Sequence, residues 1–325
     1  MLGEFELIQR YFMSPQEAHA TAGIALGNGD DAALLVPQAG QQLVVSVDTS
    51  VVNVHFPHDA PAHAIGHRAL AVALSDLAAM GASARWCVMS LTLNHQAFSA
   101  RSAAEQWLAA YAQGFHALCQ QHATALVGGD VTSGTLAIGV TVMGEVPAGK
   151  ALTRSGAHPG DIVAVTGALG GGAGGLMRWR QGERELADPL LARYLLPQPR
   201  LAAGEALRDL ATAALDISDG LLADLAHLRN ASQVGCALDV DAIPLAEGLQ
   251  EALGLDAARK AALSGGDDYE LLVTLAPEHV ETARQRLAKL GVSLTVIGRC
   301  TDTPGVTGVA PSDNEGWQHF SGVAP

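Results

Sequence analysis

The chain has 325 residues, of which 33 are acidic and 19 basic, so its formal net charge is −14 at pH 7. This length favours about two domains, and a hydrophobic fraction of 49% excludes a disordered chain because it supplies enough apolar side chains for packed cores. The negative charge excludes nucleic acid and anionic membranes as main partners, since both are bound through clustered Lys and Arg.

Short apolar runs alternate with helical patterns along the chain, which predicts a mixed α/β fold. The elements predicted in the first half are a strand at 43–48, an apolar helix at 62–80, a strand at 85–93, a helix at about 100–121, a strand that ends at Gly128-Gly129-Asp130 and a strand at 136–145. Pro and Gly then accumulate at 147–160, where we place the domain boundary. The predicted domains are 1–148 and 149–325. The secondary-structure elements predicted in the second half are strands at 161–166, 213–218, 236–240 and 292–298 and a helix near 278–290.

The sequence predicts a cytoplasmic protein. No apolar run reaches the roughly 18 residues of a membrane-spanning helix, and Glu4 and Glu6 stand where an export signal carries Lys or Arg. The four cysteines are scattered without a CxxC pair, which indicates free thiols in a reducing compartment.

Aspartates recur beside glycines or at the ends of predicted strands. The residues in these settings are Asp30, Asp31, Asp48, Asp130, Asp216, Asp219, Asp267 and Asp268. The ends of strands are where α/β folds build ligand sites. An Asp beside Gly is also ordinary turn chemistry, and both interpretations stay open for each residue taken alone.

Asp76 lies inside the apolar run ALAVALSDLAAMG, too far along the predicted helix to cap its start. Burying a carboxylate is costly unless it is paired or bound to a metal ion. We therefore interpret Asp76 as a cation ligand, with a capped helix break at Ser75-Asp76 as the alternative.

Carboxylates without accompanying Cys or His are hard oxygen ligands, which favour Mg²⁺ over zinc. Their order does not fit an EF-hand calcium loop. A nucleoside triphosphate is strongly anionic, and an acidic site can bind it only with divalent ions in between. The pattern therefore favours a site for magnesium and a nucleotide.

Three further features each leave two interpretations. The segment 167–176 contains six glycines but lacks the GK[ST] ending of a P-loop, so it is either an anion cradle at a helix start or a strand-to-helix turn. Arg154 could clamp a phosphate or form a surface ion pair. Trp317 and His319 could stack on a flat ligand or cover a sheet edge.

Eight segments of the sequence resemble one known family. They are GEFELIQRYF, GNGDDAALL, VSVDTSVVNVHF, ALAVALSDLAAMGA, LVGGDVTSG, ALTRSGAHPGD, LDISDGLLADL and ALSGGDDYELL. In order and spacing, from about residue 3 to residue 320, the chain resembles the thiamine-monophosphate kinase family. That family belongs to the superfamily of aminoimidazole ribonucleotide synthetase and selenophosphate synthetase.

The resemblance implies direct in-line transfer of the ATP γ-phosphate to thiamine monophosphate, giving thiamine diphosphate and ADP with several Mg²⁺ ions. It also implies a homodimer. The N-terminal domain would bind ATP and Mg²⁺ and pair its sheet with that of a second copy in a barrel-like interface. The C-terminal α/β domain would complete the active site.

The resemblance also implies the site residues. The magnesium ligands would be Asp30, Ser46, the backbone of Val47, Asp48, Asp76, Asp130, Asp216 and Asp219. Gly129, Asp130, Arg154 and Ser218 would contact ATP, and His55, Asp267 and Trp317 would hold thiamine monophosphate. Asp48, Asp130 and Arg154 would serve catalysis. Their contribution would be positioning, together with charge neutralisation by Mg²⁺ and Arg154, because the attacking phosphate oxygen is already an anion.

This sequence departs from the family pattern at a few positions. Asp267 stands where the family usually has Glu, and Val47 stands where Thr is common. The stretch 170–175 is richer in glycine than in the family, so it receives no role. A Tyr that the family places beside ATP falls on Ala112, next to Tyr111, and neither residue is assigned.

Two rival functions remain open from sequence alone. The first is another ATP-dependent enzyme of the superfamily, of the selenophosphate- or purine-synthetase type. A selenophosphate synthetase would carry a reactive Cys near its start, and residues 1–30 contain none. The second is a non-catalytic protein that binds Mg²⁺ and a nucleotide.

Overall fold

A computed structural model describes residues 4–13 and 23–309 and shows the predicted mixture of helices and sheets. These residues form two compact units. The first contains the described residues up to Gly149 apart from Ala78–Gly81, and the second contains Ala78–Gly81 and the described residues from Lys150 onward.

The first unit is built around a four-stranded sheet. Its elements are α1 (Glu4–Tyr11), β1 (Ile24–Leu26), β2 (Leu34–Leu35), β3 (Gln41–Val51), α2 (Ala62–Ala79, whose last two residues belong to the second unit), β4 (Ser83–Leu93), α3 (Arg101–Gln121), β5 (Ala125–Ser133) and β6 (Ala137–Pro147). The sheet order is β3-β6-β4-β5. The pair β4–β5 is parallel, and α3 makes the crossover between these strands, whereas the other pairs are antiparallel.

Helices α2 and α3 approach each other closely at two glycines. A Cβ atom at Gly66 would lie 2.1 Å from the carbonyl oxygen of Tyr111, and one at Gly114 would lie 2.0 Å from that of His63. Glycine weakens a helix interior by roughly 0.5–1 kcal/mol relative to alanine, so its presence here reflects the close approach. The α2–α3 contact fixes the helix that carries Asp76.

One face of β3 is apolar and exposed. Leu43, Val45 and Val47 alternate along this face and are 48%, 55% and 66% exposed. In the described residues the sheet is open, with β3 and β5 at its edges, and it does not close into a barrel. The predicted barrel-like interface would require a second copy of the chain and remains a prediction.

The second unit contains a six-stranded sheet. Its elements are β7 (Ile162–Thr166), α4 (Gly171–Arg180), α5 (Pro189–Leu195), α6 (Leu201–Leu207), β8 (Ala211–Asp216), α7 (Leu221–Ser232), β9 (Gly235–Leu238), α8 (Leu249–Leu253), α9 (Leu255–Ser264), β10 (Leu271–Leu275), α10 (Val280–Ala288), β11 (Leu294–Thr301) and β12 (Val306–Thr307). The sheet order is β12-β9-β11-β7-β10-β8, and every pair is antiparallel except β12–β9. Every residue of β7 and β10 is buried, so both faces of the central strands are covered.

Within residues 4–13 and 23–309, no helix is both long enough and apolar enough to cross a membrane.

Candidate active site

Strand β3 and helix α2 bring two of the predicted site residues into contact. Ser46 and Asp48 lie on the same face of β3, opposite to the exposed face of Val45 and Val47. The Ser46 hydroxyl donates a hydrogen bond to Oδ2 of Asp76 on α2. The structure therefore joins Ser46 and Asp76, which are 30 residues apart in sequence, and presents Asp48 on the same side of the sheet.

Asp76 is half-buried between the fully buried Leu74 and Leu77. Helix α2 continues through Asp76 to Ala79, which excludes the alternative of a helix break at Ser75-Asp76. The carboxylate is thus held on a continuous apolar helix, as the sequence predicts.

Asp130 lies on the opposite edge strand of the sheet. Across the four strands, Asp48 lies in one row with Val140, Met89 and Gly129. Asp130 lies in the next row, which contains Thr49. Neighbouring residues of a strand point to opposite faces, so Asp48 and Asp130 point to opposite faces of the sheet. The structure does not bring these two carboxylates together within one chain.

The prediction that Asp48 and Asp130 stand at strand ends is wrong. Strand β3 continues to Val51 and β5 continues to Ser133, so both aspartates lie inside strands. At Gly129 a Cβ atom would lie 2.0 Å from the carbonyl oxygen of Met89. The glycines that suggested a strand end instead permit the close approach of β4 to β5.

A small pocket that is partly open to solvent lies beside Asp130. Its lining residues are Ile8, Phe12, Asn28, Met89, Leu126, Gly128, Gly129, Asp130 and Val131. The amide nitrogen of Asn28 donates to the carbonyl oxygens of Phe12 (3.1 Å) and Leu126 (3.4 Å). Its side-chain oxygen is buried and accepts no hydrogen bond from the described residues.

The remaining predicted residues of the first unit lie on loops and on the outer face of β3. Asp30 is exposed, and its carboxylate accepts a hydrogen bond from the backbone N–H of Asp31 at 2.8 Å. Nδ1 of His55 accepts the backbone N–H of Val51 at 2.9 Å, so the neutral ring carries its hydrogen on Nε2. The Val47 side chain points away from Ser46 and Asp48, which leaves its backbone as the only group that could ligate a cation.

Two neighbouring loops carry the predicted residues of the second unit. Asp216 is the last residue of β8 and is buried. The backbone N–H of Asp267 donates to the carbonyl oxygen of Ser218 at 2.8 Å, and that of Tyr269 donates to Ile217, also at 2.8 Å. The structure therefore brings the loop of Ser218 and Asp219 against the turn that carries Asp267.

Asp224, which was not assigned from sequence, organises the first of these loops. Its buried Oδ2 accepts the backbone N–H groups of Ser218 (3.0 Å), Asp219 (3.0 Å) and Gly220 (3.2 Å). Burial raises the pKa of Asp224 to about 6, although the N–H donors act in the opposite direction. The sequence shows only an acidic residue in the first turn of a helix, which is an ordinary feature.

Glu270 anchors the second loop and was also missed. It is 1% exposed and accepts hydrogen bonds from Thr166 Oγ1 (2.7 Å), Arg193 Nη1 (3.0 Å) and Arg200 Nε (2.7 Å). Two guanidinium groups thus compensate one buried carboxylate. Next to it, Asp268 is buried and accepts backbone N–H groups from Gly170 and Gly172.

Asp268 should make the unfolding free energy depend on pH. Burial raises its pKa from 3.8 to about 7, with Glu270 acting in the same direction and Arg193 in the opposite one. A carboxyl group whose folded pKa is raised contributes stability below its unfolded pKa and loses that contribution as the pH rises through the folded value. We expect the stability difference between wild type and Asp268→Asn to change between about pH 4 and about pH 7, with wild type losing more as the pH rises. Urea unfolding of both proteins measures this, and parallel pH profiles would contradict it.

Two residues that were predicted to contact ligands, Arg154 and Trp317, gain no support from the structure. Arg154 is exposed, and the hydrogen bond at this residue is from Ser232 Oγ to its backbone carbonyl oxygen at 2.9 Å. Trp317 and His319 lie outside the described residues.

The oxygen atoms of Ser46, Asp48 and Asp76 are suitable ligands for a hard cation, although they do not surround one completely. Within residues 4–13 and 23–309, no three His, Cys, Asp or Glu side chains converge closely enough to hold a metal ion. Magnesium in phosphoryl-transfer sites is usually bound by one or two carboxylates together with substrate phosphates. The carboxylates of Asp48 and Asp76 and the hydroxyl of Ser46 are donors of this kind.

Known proteins resemble the chain over nearly its whole length. Residues 29–146 match the family described as AIR synthase related protein, N-terminal domain, and residues 158–310 match AIR synthase related protein, C-terminal domain. The thiamine-monophosphate kinase of Salmonella typhimurium is 40% identical, with 98% of each chain covered.

Solved structures agree with the sequence comparison. The thiamine-monophosphate kinase from Stenotrophomonas maltophilia K279a superposes with a TM-score of 0.84 at 46% identity, covering 94% of this chain and 96% of that one. AaThiL complexed with AMPPCP and TMP superposes with a TM-score of 0.76 at 29% identity, covering 88% of this chain and 89% of that one. This chain belongs to the thiamine-monophosphate kinase family.

Proposed function

We propose that the protein transfers the γ-phosphate of ATP to thiamine monophosphate and releases thiamine diphosphate and ADP. The observation that carries this proposal is the near-complete match, at 40% identity, to a thiamine-monophosphate kinase. The structure of AaThiL with AMPPCP and TMP supports the same pair of substrates, because an ATP analogue and the phosphate acceptor are bound to one protein.

We assign nucleotide contacts to Gly129 and Asp130, which line the small pocket on β5. Gly129 forms part of the wall, so the backbone can approach the nucleotide without interference from a side chain. Arg154, Ser218 and the loop held by Asp224 would contact the phosphates.

Mg²⁺ bound by Asp30, Asp48, Asp76, Asp130, Asp216 and Asp219, with Ser46 and the Val47 backbone, would neutralise charge on the phosphates. His55, Asp267 and Trp317 would hold thiamine monophosphate.

The chemistry demands positioning more than proton transfer. The attacking oxygen of thiamine monophosphate is already an anion, so a general base has little to contribute. The role of the protein is to align acceptor and γ-phosphate in line and to offset their mutual repulsion. Exposed Arg154 is suited to the second task because its side chain is not committed to the core.

We place this reaction in the cytoplasm, because all four cysteines are free thiols and are buried, which agrees with a reducing compartment. We also propose that the protein is a homodimer. Leu43, Val45 and Val47 form an exposed apolar strip on an edge strand, which is unfavourable in a monomer. Asp130 lies on the same face of the sheet, so a second copy that covers this strip would also approach Asp130.

Val45→Glu is expected to weaken the dimer by at least about 100-fold, because a charge would be buried in an apolar interface. Sedimentation velocity over a range of concentrations measures the dissociation constant. Leu290→Glu is the matched control, since Leu290 is 45% exposed in the second unit. A Val45→Glu protein that dimerises like the wild type would contradict the assignment of the interface.

The activity is tested with purified protein, Mg-ATP and thiamine monophosphate, with chromatography of ADP and thiamine diphosphate in the same samples. Equimolar formation of both products supports the kinase. ATP consumption without thiamine diphosphate indicates a different acceptor, as in the rival superfamily enzymes. Binding of ATP without consumption indicates the non-catalytic alternative.

A further inference from the structure

The glycine-rich start of α4 packs directly against the turn that carries Asp267. A Cβ atom at Gly172 would lie 2.4 Å from the carbonyl oxygen of Asp267 and 2.6 Å from its Cβ. These neighbours are backbone or near-backbone atoms, so they cannot rotate away as the end of a long side chain could. Any side chain at position 172 would therefore displace the turn at Asp267.

Asp268 holds the same two segments together through hydrogen bonds. Its Oδ2 accepts the backbone N–H of Gly170 at 2.7 Å, and its Oδ1 accepts that of Gly172 at 3.1 Å. The start of α4 thus binds an anion, as one interpretation of the sequence suggested, but the anion is the protein's own carboxylate. The N–H groups of Gly170 and Gly172 therefore serve an internal contact.

The turn itself depends on contacts of this kind. Asp267 and Tyr269 have φ values of +70° and +53°, a left-handed conformation that costs roughly 1–2 kcal/mol for residues other than glycine. The Tyr269 hydroxyl donates to Oδ1 of Asp267 at 2.9 Å. The carboxylate of Asp267 is therefore held on a strained turn whose shape is imposed by its neighbours.

We infer that Gly172 and Asp268 are positioning residues that hold the Asp267 carboxylate where thiamine monophosphate binds. This inference rests on the proposed function, which assigns Asp267 to that substrate. The absence of a side chain at Gly172 lets the turn lie closer to α4 than any other residue would permit.

Gly172→Ala is expected to raise the KM for thiamine monophosphate about tenfold while the KM for ATP stays within about twofold of wild type. Asp268→Asn should also raise the KM for thiamine monophosphate. The NH₂ group of the asparagine is a donor, so it cannot accept the hydrogen bond from one of the two backbone N–H groups. Adding Asp267→Glu to Gly172→Ala should restore part of the affinity, since the longer acid can compensate for a displaced turn.

Two control variants make the same chemical changes away from Asp267. Gly174→Ala adds a Cβ on the same helix, where it meets Leu249 at 2.7 Å. Asp188→Asn alters a carboxylate that accepts the backbone N–H groups of Leu190 and Leu191 at the start of α5. Both should lower the melting temperature without a selective change in the KM for thiamine monophosphate.

The outcomes separate the inference from the proposed function. If wild type forms thiamine diphosphate and both Gly172→Ala and Asp268→Asn keep its KM for thiamine monophosphate, the positioning role is wrong and the kinase assignment stands. If both KM values rise together, as in a general loss of structure, the positioning role is likewise overturned. If wild type forms no thiamine diphosphate, both ideas fail. Should Gly172→Ala not fold, Asp268→Asn alone decides.

Discussion

Asp130→Asn is expected to lower kcat/KM for thiamine diphosphate formation by about a thousandfold, which corresponds to about 4 kcal/mol of transition-state stabilisation. Asparagine preserves the size of the side chain and removes its charge. Asp130 is exposed on β5, next to Gly129 in the wall of the pocket, so its packing contributes little to the fold. The charge that would bind Mg²⁺ is therefore lost selectively, and stability should change by no more than about 0.5 kcal/mol.

The measurement is steady-state kinetics at saturating and at limiting Mg²⁺, together with thermal unfolding. Asp59→Asn serves as the control, because it removes one negative charge from an exposed residue of the same unit. The control should keep wild-type kinetics. An Asp130→Asn protein within tenfold of wild type at limiting Mg²⁺ would show that this carboxylate is not a magnesium ligand.

Helix α2 illustrates what periodicity alone could predict. The pattern predicts a helix over 62–80, and the structure has Ala62–Ala79, with Asp76 inside it. Hydrophobic spacing is a local property and is therefore readable from sequence. The hydrogen bond between Ser46 and Asp76 is not local, because it depends on how α2 packs on β3.

The strands show how tertiary contacts override turn signals. Gly128 and Gly129 suggested that β5 ends at Asp130, yet the strand continues to Ser133 because it pairs with β4 through this region. The exclusion of a side chain at Gly129 by the Met89 carbonyl is visible only when the two strands are side by side. Local composition marks a glycine, but the partner strand decides what that glycine does.

The supporting roles of Asp224 and Asp268 were the hardest to predict. Each accepts backbone N–H groups, and Asp268 does so from a segment about 100 residues away. In sequence, both are ordinary acids near a glycine or a helix start, so no local signal separates them from solvent-exposed residues. The family resemblance identified residues that would touch substrates, whereas these two support the loops behind them.

Asp76→Asn is expected to reduce turnover by about a thousandfold and to abolish stabilisation of the protein by Mg²⁺ with AMPPCP. The asparagine oxygen can still accept the hydrogen bond from Ser46, so the contact between α2 and β3 is retained. Without Mg²⁺ the variant should be at least as stable as wild type, because a charge is removed from an apolar helix. The loss of activity would then come from cation binding and not from unfolding.

Thermal unfolding in EDTA and in Mg²⁺ with AMPPCP provides the readout that is independent of turnover. A ligand at about 100 times its dissociation constant stabilises a protein by about 2.7 kcal/mol, so wild type should gain several degrees in Tm. Glu105→Gln, which removes one acid from α3, should show the same gain as wild type. If Asp76→Asn also gains those degrees and keeps its turnover, Asp76 does not bind the cation, and its place on α2 must have a structural cause, the hydrogen bond with Ser46 being the first to examine.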